Sequence, residues 1–364
     1  MATAKLNQPD IVSERLRNHK LSSPSFSKPA DVVRCFGAVQ AQDFQAAKWA
    51  VGLRLRNATS ASVEEAFNRG ELVRTHLLRP TWHFVAPEDL RWLLQLTAPR
   101  VNLRCGPNFR KFELDGEVFK RSNRLLAKAL QGGKHLTRSE LKAVLNRIGV
   151  AADDTVRLAH ILLRAELDGV VCSGPRRGKQ FTYALIDERV LEHRSLTRDE
   201  ALAELTQRYF SSHGPATVAD FVWWSGLTTN DARRGIAMLD RELEETTIGE
   251  DVYWASATSA AKGRASVEAY LLPVYDEYNV AYRNRHVVFD RSAVSAITTW
   301  GALGPSVIIG GRIVGTWKGT LGKDSLEIDL KLTRDLNKSE KLALRKAAET
   351  YAIFLGVSLT RTTP

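Results

Sequence analysis

The feature that most limits how this chain can fold is one order of elements: helix, helix, then a strand hairpin. In residues 135–195, Thr137 and Glu140 have capping-box spacing ahead of an apolar stripe at positions 141, 144, 145 and 148. A second apolar-striped helix follows and ends at Gly169. Two β-type segments, 170–172 and 180–185, then flank a tip of Gly, Pro, Arg and Lys. This order is typical of a winged helix, in which a helix enters a DNA groove and the hairpin touches the phosphate backbone.

The same order of elements occurs twice more, so the chain is predicted to contain three degenerate copies of one unit. Residues 197–254 open with a second capping box and continue through two helices to two strands. Residues 11–85 hold helices followed by a hairpin of strands 72–77 and 81–85. The copies share a pattern only, since side-chain identity between them is poor.

From Ala269 onward the sequence changes to short β-type segments, with Gly310-Gly311 as a tight-hairpin signal and a closing helix over 339–355. Such a pattern is typical of a small β-barrel or curled sheet with a terminal helix. We therefore expect an α+β fold divided into four domains. They are a first winged-helix unit with a basic helical segment (1–134), a second unit (135–195), a third unit (196–264) and a C-terminal β-barrel with its helix (265–364).

The charge balance points to a polyanionic partner. The chain carries a net charge of +11 with a sequence pI ≈ 9.6, and residues 91–135 hold ten Lys and Arg against three Asp and Glu. Neutralising phosphates releases condensed counterions, so a basic chain of this kind is suited to DNA. A merely soluble basic protein would have the same net charge, and that alternative stays open at this point.

Several other classes are disfavoured. No apolar run approaches the ~20 residues needed to cross a bilayer, and residues 1–9 contain no signal-peptide-like stretch. The three cysteines, Cys35, Cys105 and Cys172, lie far apart without CxxC spacing, which argues against a disulfide scaffold or a cysteine-based zinc site. We expect a cytoplasmic protein with no membrane contact, no cofactor and no metal.

The segment Gln40-Ala41-Gln42 interrupts the helical pattern. Glutamines two positions apart do not face each other on a helix, but on an extended segment or turn both amides would point the same way. Since each amide offers a donor and an acceptor, the two side chains could hold one water or one base edge between them. The alternative is that they only cap or hydrogen-bond neighbouring backbone. Asp43, directly after the pair, is assigned no proton transfer; it could orient the two glutamines, but a local backbone cap is the preferred role.

Candidate DNA contacts lie on the hairpins. Trp82 and His83 alternate on the first hairpin, so one is expected in the core and the other facing a groove. For His83, a DNA-facing role and a structural hydrogen bond are both open. The second hairpin has a basic tip, which suits phosphate contact but would look the same as a solvated turn; its candidates are Arg176, Arg177 and Lys179.

Two further pairs are assigned structural roles. Trp223-Trp224 is expected to be core of the third unit rather than a platform for stacking bases. Asp276-Glu277 suggests a metal site, but no His or Cys pattern accompanies the two acids, so an ion pair with the basic surface is expected instead.

Taken together, several strings resemble the AlkZ-type winged-helix DNA glycosylases. The strings are Gln40-Ala41-Gln42, Arg79-Pro80-Thr81-Trp82-His83 and the segments 162–169, 178–184, 220–227 and 272–278. The resemblance runs from about residue 10 to residue 355 and implies three tandem winged helices in a C-shaped arrangement with a C-terminal β-barrel. It also implies excision of alkylated purines from duplex DNA, including unhooking of interstrand crosslinks. Gln40 and Gln42 match the catalytic signature of the family's two-glutamine branch, which is associated with bulky natural-product alkylators, and Arg79 and His83 fall in a second matching string.

Two weak amides are chemically sufficient for one class of substrate. Hydrolysis of an N-glycosidic bond passes through an oxocarbenium-like sugar and normally uses carboxylates. A purine alkylated at N7 or N3 already carries positive charge, so it leaves without protonation, and the enzyme mainly has to orient a water and stabilise the developing cation. Gln40 and Gln42 would hold that water through their carbonyl oxygens. The nearest lysine is Lys48, and nothing in the sequence supports a Schiff-base lyase mechanism.

The sequence therefore predicts a monofunctional DNA glycosylase that acts as a monomer in the nucleoid. The alternative from a different class is a non-catalytic winged-helix DNA-binding protein, either a regulator or a resistance protein that sequesters damaged DNA. The two differ in one outcome, because only the enzyme releases a base.

Overall fold

The computed structural model describes residues 8–147, 149–257, 268–289 and 304–363. Its helices are α1 (Gln8–Asn18), α2 (Pro29–Phe36), α3 (Phe44–Gly52), α4 (Ser60–Arg69), α5 (Leu90–Lys111), α6 (Gly116–Leu130), α7 (Arg138–Arg147), α8 (Thr155–Leu167), α9 (Ile186–Arg189), α10 (Arg198–His213), α11 (Val218–Ser225), α12 (Thr229–Leu239), α13 (Glu277–Val280) and α14 (Lys338–Leu355). Its strands are β1 (Val39–Gln40), β2 (Val73–Leu77), β3 (Thr81–Val85), β4 (Leu136–Thr137), β5 (Val171–Ser173), β6 (Thr182–Leu185), β7 (Leu243–Ile248), β8 (Asp251–Ser256), β9 (Ala269–Leu272), β10 (Ser306–Ile309), β11 (Arg312–Leu321), β12 (Ser325–Leu332) and β13 (Ser358–Thr363). In these residues no helix is both long and apolar enough to span a membrane.

The chain forms two compact units. Unit 1 comprises Met1–Glu64, Ala203–Trp224 and Thr228–Pro364, and unit 2 comprises Glu65–Leu202 and Ser225–Leu227. The α+β class is confirmed, since both units combine helices with antiparallel strands.

The second predicted copy lies in unit 2 and has the expected order of elements. The chain runs α6, β4, α7, α8, β5, β6, and the three strands form a sheet in the order β4-β6-β5. The Thr137–Glu140 capping box is present: the Glu140 carboxylate accepts from the Thr137 backbone N–H at 2.7 Å, and Thr137 Oγ1 accepts from the Glu140 N–H at 3.3 Å. Leu141 and Leu145 of the predicted stripe are buried, while Ile148 lies outside the described residues.

The third predicted copy repeats that strand order. Ala216 exchanges two backbone hydrogen bonds with Trp254 of β8, at 3.0 and 2.8 Å, and β8 pairs with β7. The third copy therefore has the order Ala216, β8, β7, which corresponds to the order β4, β6, β5 of the second copy. The helices between are α11 and α12, where the sequence predicted them.

The first copy has the same succession along the chain. After α2 come β1, α3, α4, β2 and β3, and the last two pair as the predicted antiparallel hairpin, with Thr75 opposite His83. Along the chain, each copy thus contains a short extended segment, then two helices, then a two-stranded hairpin.

The C-terminal region of unit 1 is a curled half-barrel, which agrees with the predicted curled sheet rather than with its alternative, a small β-barrel. Its strands follow the order β13-β12-β11-β10-β9, which leaves β9 and β13 as edges. Alternation places Leu326, Ile328 and Leu330 of β12 inside. Gly310 and Gly311 form the predicted tight turn with φ of 55° and 78°, values that glycine adopts without strain.

Two local features at the C-terminus differ from what the sequence pattern indicates. Residues 286–289 are one of the short β-type segments of this region, but His286–Val288 is a 3₁₀ turn that begins where the Asn284 side-chain oxygen accepts from the His286 N–H at 3.0 Å. Strand β13 was missed because it is mostly polar and exposed, so it carries no apolar alternation to detect.

Candidate active site

The two glutamines lie where a strand ends and a helix begins in unit 1. Gln40 is the last residue of β1 and is 7% exposed, Ala41 is fully buried, and Gln42 is exposed two residues before α3. The prediction that the pair lies on a non-helical segment is confirmed. The two glutamines differ in exposure, so the expectation that both amides point the same way is not supported by their burial.

Asp43 fixes the C-terminal side of this segment. Its carboxylate accepts from the Ala46 backbone N–H at 2.9 Å and caps the first turn of α3. The predicted cap is thereby confirmed, and the position of Gln42 is tied to the start of a helix.

Glu277 fixes the N-terminal side, a contact that the sequence did not reveal. The Gln40 backbone N–H donates to Glu277 Oε1 at 2.7 Å. The other carboxylate oxygen, Oε2, accepts from the Trp224 indole N–H at 2.9 Å and lies 3.4 Å from His213 Nε2. Glu277 is 1% exposed, so its carboxylate is held entirely by protein donors.

A buried aromatic cluster surrounds His213. The His213 ring stacks on the Tyr209 ring with centroids 4.7 Å apart, and the His213 backbone oxygen accepts from the Tyr282 hydroxyl at 2.6 Å. Since the single hydroxyl proton of Tyr282 is used there, His19 Nε2 must be the donor across its 2.7 Å contact with the Tyr282 oxygen. Burial lowers the pKa of His213, and burial together with the neighbouring His213 lowers the pKa of His19 well below its usual range. Both imidazoles are therefore neutral near pH 7.

Asp276, the residue before Glu277, forms an ion pair of a different kind from the one expected. The sequence suggested pairing with a basic surface, but Asp276 is fully buried and binds Arg54 through two hydrogen bonds of 2.9 Å each. Arg54 lies just beyond α3 and also donates to the Ala50 carbonyl at 2.6 Å. In the described part of the chain no three His, Cys, Asp or Glu side chains gather in a way that would hold a metal ion.

Lys48 is engaged in an ion pair. Its Nζ lies 2.6 Å from Glu64 Oε2, and the lysine side chain is 4% exposed. At this low exposure the amine has little access to a sugar carbon, which a Schiff base would require.

The first hairpin, in unit 2, holds two of the candidate DNA contacts. His83 is fully buried and its Nδ1 hydrogen-bonds the Thr81 carbonyl oxygen at 2.9 Å, which favours the structural alternative for this residue. Trp82 is half-buried with its ring over the Arg74 guanidinium, 4.3 Å from the ring centroid. Arg79 is half-buried in the turn between the strands, where its backbone N–H donates to the Leu77 carbonyl at 2.6 Å.

The three basic residues of the second hairpin differ in exposure and in their contacts. Arg177 is exposed, but it pairs with Glu140 at 2.8 Å and donates to the His135 carbonyl at 2.6 Å. Arg176 is half-buried, with its guanidinium 5.1 Å from the centroid of the Phe181 ring. Lys179 is exposed at the tip. Arg177 and Lys179 are thus both exposed, and of these two Arg177 is engaged by Glu140.

The model of the family described as DNA glycosylase AlkZ-like matches residues 33–354. The chain belongs to this family of DNA glycosylases, as the sequence strings indicated.

Two comparisons with individual proteins agree. A protein of Streptomyces sahachiroi named interstrand DNA cross-link repair glycosylase is 26% identical over 332 residues, which cover 85% of this chain and 86% of that protein. The solved structure of the Streptomyces sahachiroi DNA glycosylase AlkZ matches with a TM-score of 0.84 and 23% identity, covering 99% of this chain and 100% of the other. The structural match shows a shared fold.

Proposed function

We propose that this protein is a monofunctional DNA glycosylase that hydrolyses the N-glycosidic bond of cationic N7- or N3-alkylated purines, with Gln40 and Gln42 as the catalytic residues. The observation that carries the proposal is the rigidly anchored Gln40-Ala41-Gln42 segment, which ends on an exposed glutamine in a chain of the AlkZ-like family. Anchors on both sides supply the preorganisation that catalysis by weak groups requires.

The chemistry requires only a positioned water and a polar environment. The carbonyl oxygens of the two amides accept hydrogen bonds from the water and direct its oxygen lone pair at the sugar carbon. The C–N bond breaks as the water attacks, and the purine takes the bonding electrons and becomes neutral. The proton that the attacking water loses passes to bulk solvent, because a neutral amide is too weak a base to keep it. A neutral, undamaged base would have to leave as an anion, so two amides discriminate against it.

We extend the substrate class to interstrand crosslinks. The relative from Streptomyces sahachiroi is named for crosslink repair, and a crosslinked N7-purine carries the same positive charge as a monoadduct. The same departure of a cationic purine would then release one strand.

For DNA binding we propose that the three copies are winged helices with unequal wings. The wing of the second copy is basic, whereas the β7–β8 hairpin of the third exposes Glu244, Glu245, Glu250 and Asp251. The acidic hairpin of the third copy would repel phosphates, so phosphate contact is assigned to the other two hairpins. The residues assigned are Arg79 on the first hairpin and Arg176, Arg177 and Lys179 on the second. His83 is assigned to hold the turn of the first hairpin.

Helix α6 adds a second basic surface. Lys120, Arg124 and Lys128 are exposed and recur every four residues, which places them in one stripe. Buried residues of the same helix, Phe119 and Leu126, occupy the opposite stripe. We propose that this stripe follows a phosphate backbone.

The proposal is tested by base release. The protein is incubated with duplex DNA containing N7-methylguanine, and abasic sites are then cleaved with alkali. Gln40→Ala and Gln42→Ala should abolish the strand breaks, while Gln45→Ala, an exposed glutamine three residues further on in α3, should leave them unchanged. Binding without base release by the wild-type protein would instead support a non-catalytic DNA-binding protein.

A further inference from the structure

We infer that Glu277 is a positioning residue for the catalytic segment: its buried carboxylate sets the location of Gln40 by holding the backbone N–H of that residue. The inference rests on the proposed function. The two residues are 237 positions apart, so the C-terminal half of the chain would complete a site whose catalytic side chains are near the N-terminus.

The contact is suited to positioning. It uses the backbone N–H of Gln40, so this bond fixes the Cα without itself using the side-chain amide. A bond to a carboxylate is charge-assisted and roughly twice as strong as one between neutral groups. Burial at 1% exposure keeps water from competing for the same oxygen.

Residues 276 and 277 together hold both ends of one stretch of chain. Glu277 binds Gln40 at its start, and Asp276 binds Arg54 at its end through two bonds of 2.9 Å. Between these two points lie Gln42 and the whole of α3. Asp276 also caps α13 by accepting from the Tyr278 N–H at 2.9 Å, so the two acids are themselves fixed.

The hydrogen-bond pattern requires a carboxylate. Oε1 accepts from Gln40, and Oε2 accepts from the Trp224 indole. Glutamine has the same shape but only one acceptor oxygen, so in Glu277→Gln an NH₂ group would face either the Gln40 N–H or the Trp224 N–H. Replacing Trp224 with Phe removes the indole donor, and the amide oxygen is then available to Gln40. The double variant Trp224→Phe/Glu277→Gln is therefore the rescue.

The test measures single-turnover base release and DNA affinity separately, at a temperature where circular dichroism shows each variant folded. A displacement of about 1 Å in a catalytic group costs on the order of 10²-fold in rate. We expect Glu277→Gln to lower the single-turnover rate ~10- to 100-fold with less than about a twofold change in Kd for undamaged duplex DNA. Trp224→Phe alone should stay near the wild-type rate, and the double variant should recover most of the loss.

A matched control separates positioning from general destabilisation. Asp220 is likewise a buried carboxylate of unit 1, but its partners are the backbone N–H groups of Thr217, Arg283 and Asn284 and the Arg15 guanidinium at 3.9 Å. Asp220→Asn should lower the unfolding temperature and leave the rate of base release unchanged. Equal loss of rate in Asp220→Asn and Glu277→Gln would overturn the inference.

The remaining outcomes distinguish failure of this inference from failure of the proposed function. A wild-type rate in Glu277→Gln, with Gln40→Ala inactive, would overturn the inference and leave the proposed function standing. Wild-type rates in both Gln40→Ala and Gln42→Ala would overturn the proposed function. Where Glu277→Gln does not fold, hydrogen exchange on the wild-type protein decides: a protected Gln40 amide proton supports the inference, and rapid exchange of that proton contradicts it.

Discussion

Arg54 and Asp276, which are 222 residues apart in the chain, form a two-bond ion pair in the interior of unit 1. The arginine side chain is 2% exposed and the aspartate 0%, so neither charge has access to water. Removing one partner leaves the other charge buried and unpaired, which typically costs about 3–5 kcal/mol of unfolding free energy.

Arg54→Met should therefore destabilise the protein by about that amount, 3–5 kcal/mol. Arg345→Ala, which breaks the pair of Arg345 with Glu349 at 73% and 48% exposure, should change stability by less than about 1 kcal/mol. The measurement is urea unfolding followed by tryptophan fluorescence. Arg54→Met/Asp276→Leu should lose less than the sum of the two single variants, and additivity would contradict a direct pairing.

The fold was predictable from sequence where the signal is local. Capping boxes at Thr137–Glu140 and Thr197–Glu200 are both present, because three-residue spacing and polar side chains suffice to form them. The extended position of Gln40 also followed from a local break in the helical pattern. In contrast, nothing local to β9 or β13 says whether those two strands pair, so the sequence could not decide between a small β-barrel and a curled sheet.

The site was only partly predictable, for the same reason. The Gln40–Gln42 pair and the Asp43 cap are local, but the contact of Glu277 with Gln40 depends on tertiary packing. The signal that could have revealed it was two adjacent acids inside an otherwise apolar run, 272–278, because buried carboxylates need fixed donors. That string was assigned an ion pair at the basic surface, and the partner proved to be a buried arginine.

Stability should fall as the pH is lowered from about 7 to 5. The pKa of His213 and of His19 is depressed in the folded protein, chiefly by burial, whereas in the unfolded chain these groups return to 6.5. Below that pH the unfolded state binds protons that the folded state does not, so acid favours unfolding. The measurement is the urea midpoint as a function of pH. His213→Gln should flatten the profile in this range, and His286→Gln, at an exposed position, should not.

Lys48 should take no part in covalent catalysis. Its Nζ is paired with Glu64 at 2.6 Å and its side chain is 4% exposed, so the amine has little access to a sugar carbon. Sodium borohydride added during turnover should trap no enzyme–DNA adduct, and strands should stay intact until alkali is added. An adduct that forms in the wild type and disappears in Lys48→Gln would contradict the monofunctional mechanism.

Lys179 should contribute to affinity through phosphate contact. It is exposed at the tip of the second hairpin, while the neighbouring Arg177 is paired with Glu140. Lys179→Ala should weaken binding equally on different sequences and reduce the slope of log K against log salt by about 1. Lys341→Ala, at an exposed position on α14, is the matched control and should leave the slope unchanged. An unchanged slope in Lys179→Ala would remove this wing from the interface.

His83 should act on stability rather than on DNA affinity. The ring is fully buried and its Nδ1 bonds the Thr81 carbonyl, so it has no accessible surface for a phosphate. His83→Ala leaves a cavity and a carbonyl without this donor, and both effects destabilise, by about 1–3 kcal/mol for the unsatisfied group alone. Thermal unfolding should show a lower melting temperature for His83→Ala. His83→Gln should recover part of it, because the glutamine amide can also donate a hydrogen bond to the Thr81 carbonyl. Kd for duplex DNA, measured well below the melting temperature, should stay within about twofold for both variants. If His83 did contact a phosphate, both variants would lose that contact and would bind DNA more weakly. Weakened binding with unchanged melting in His83→Ala would reverse the assignment and return this histidine to the DNA interface.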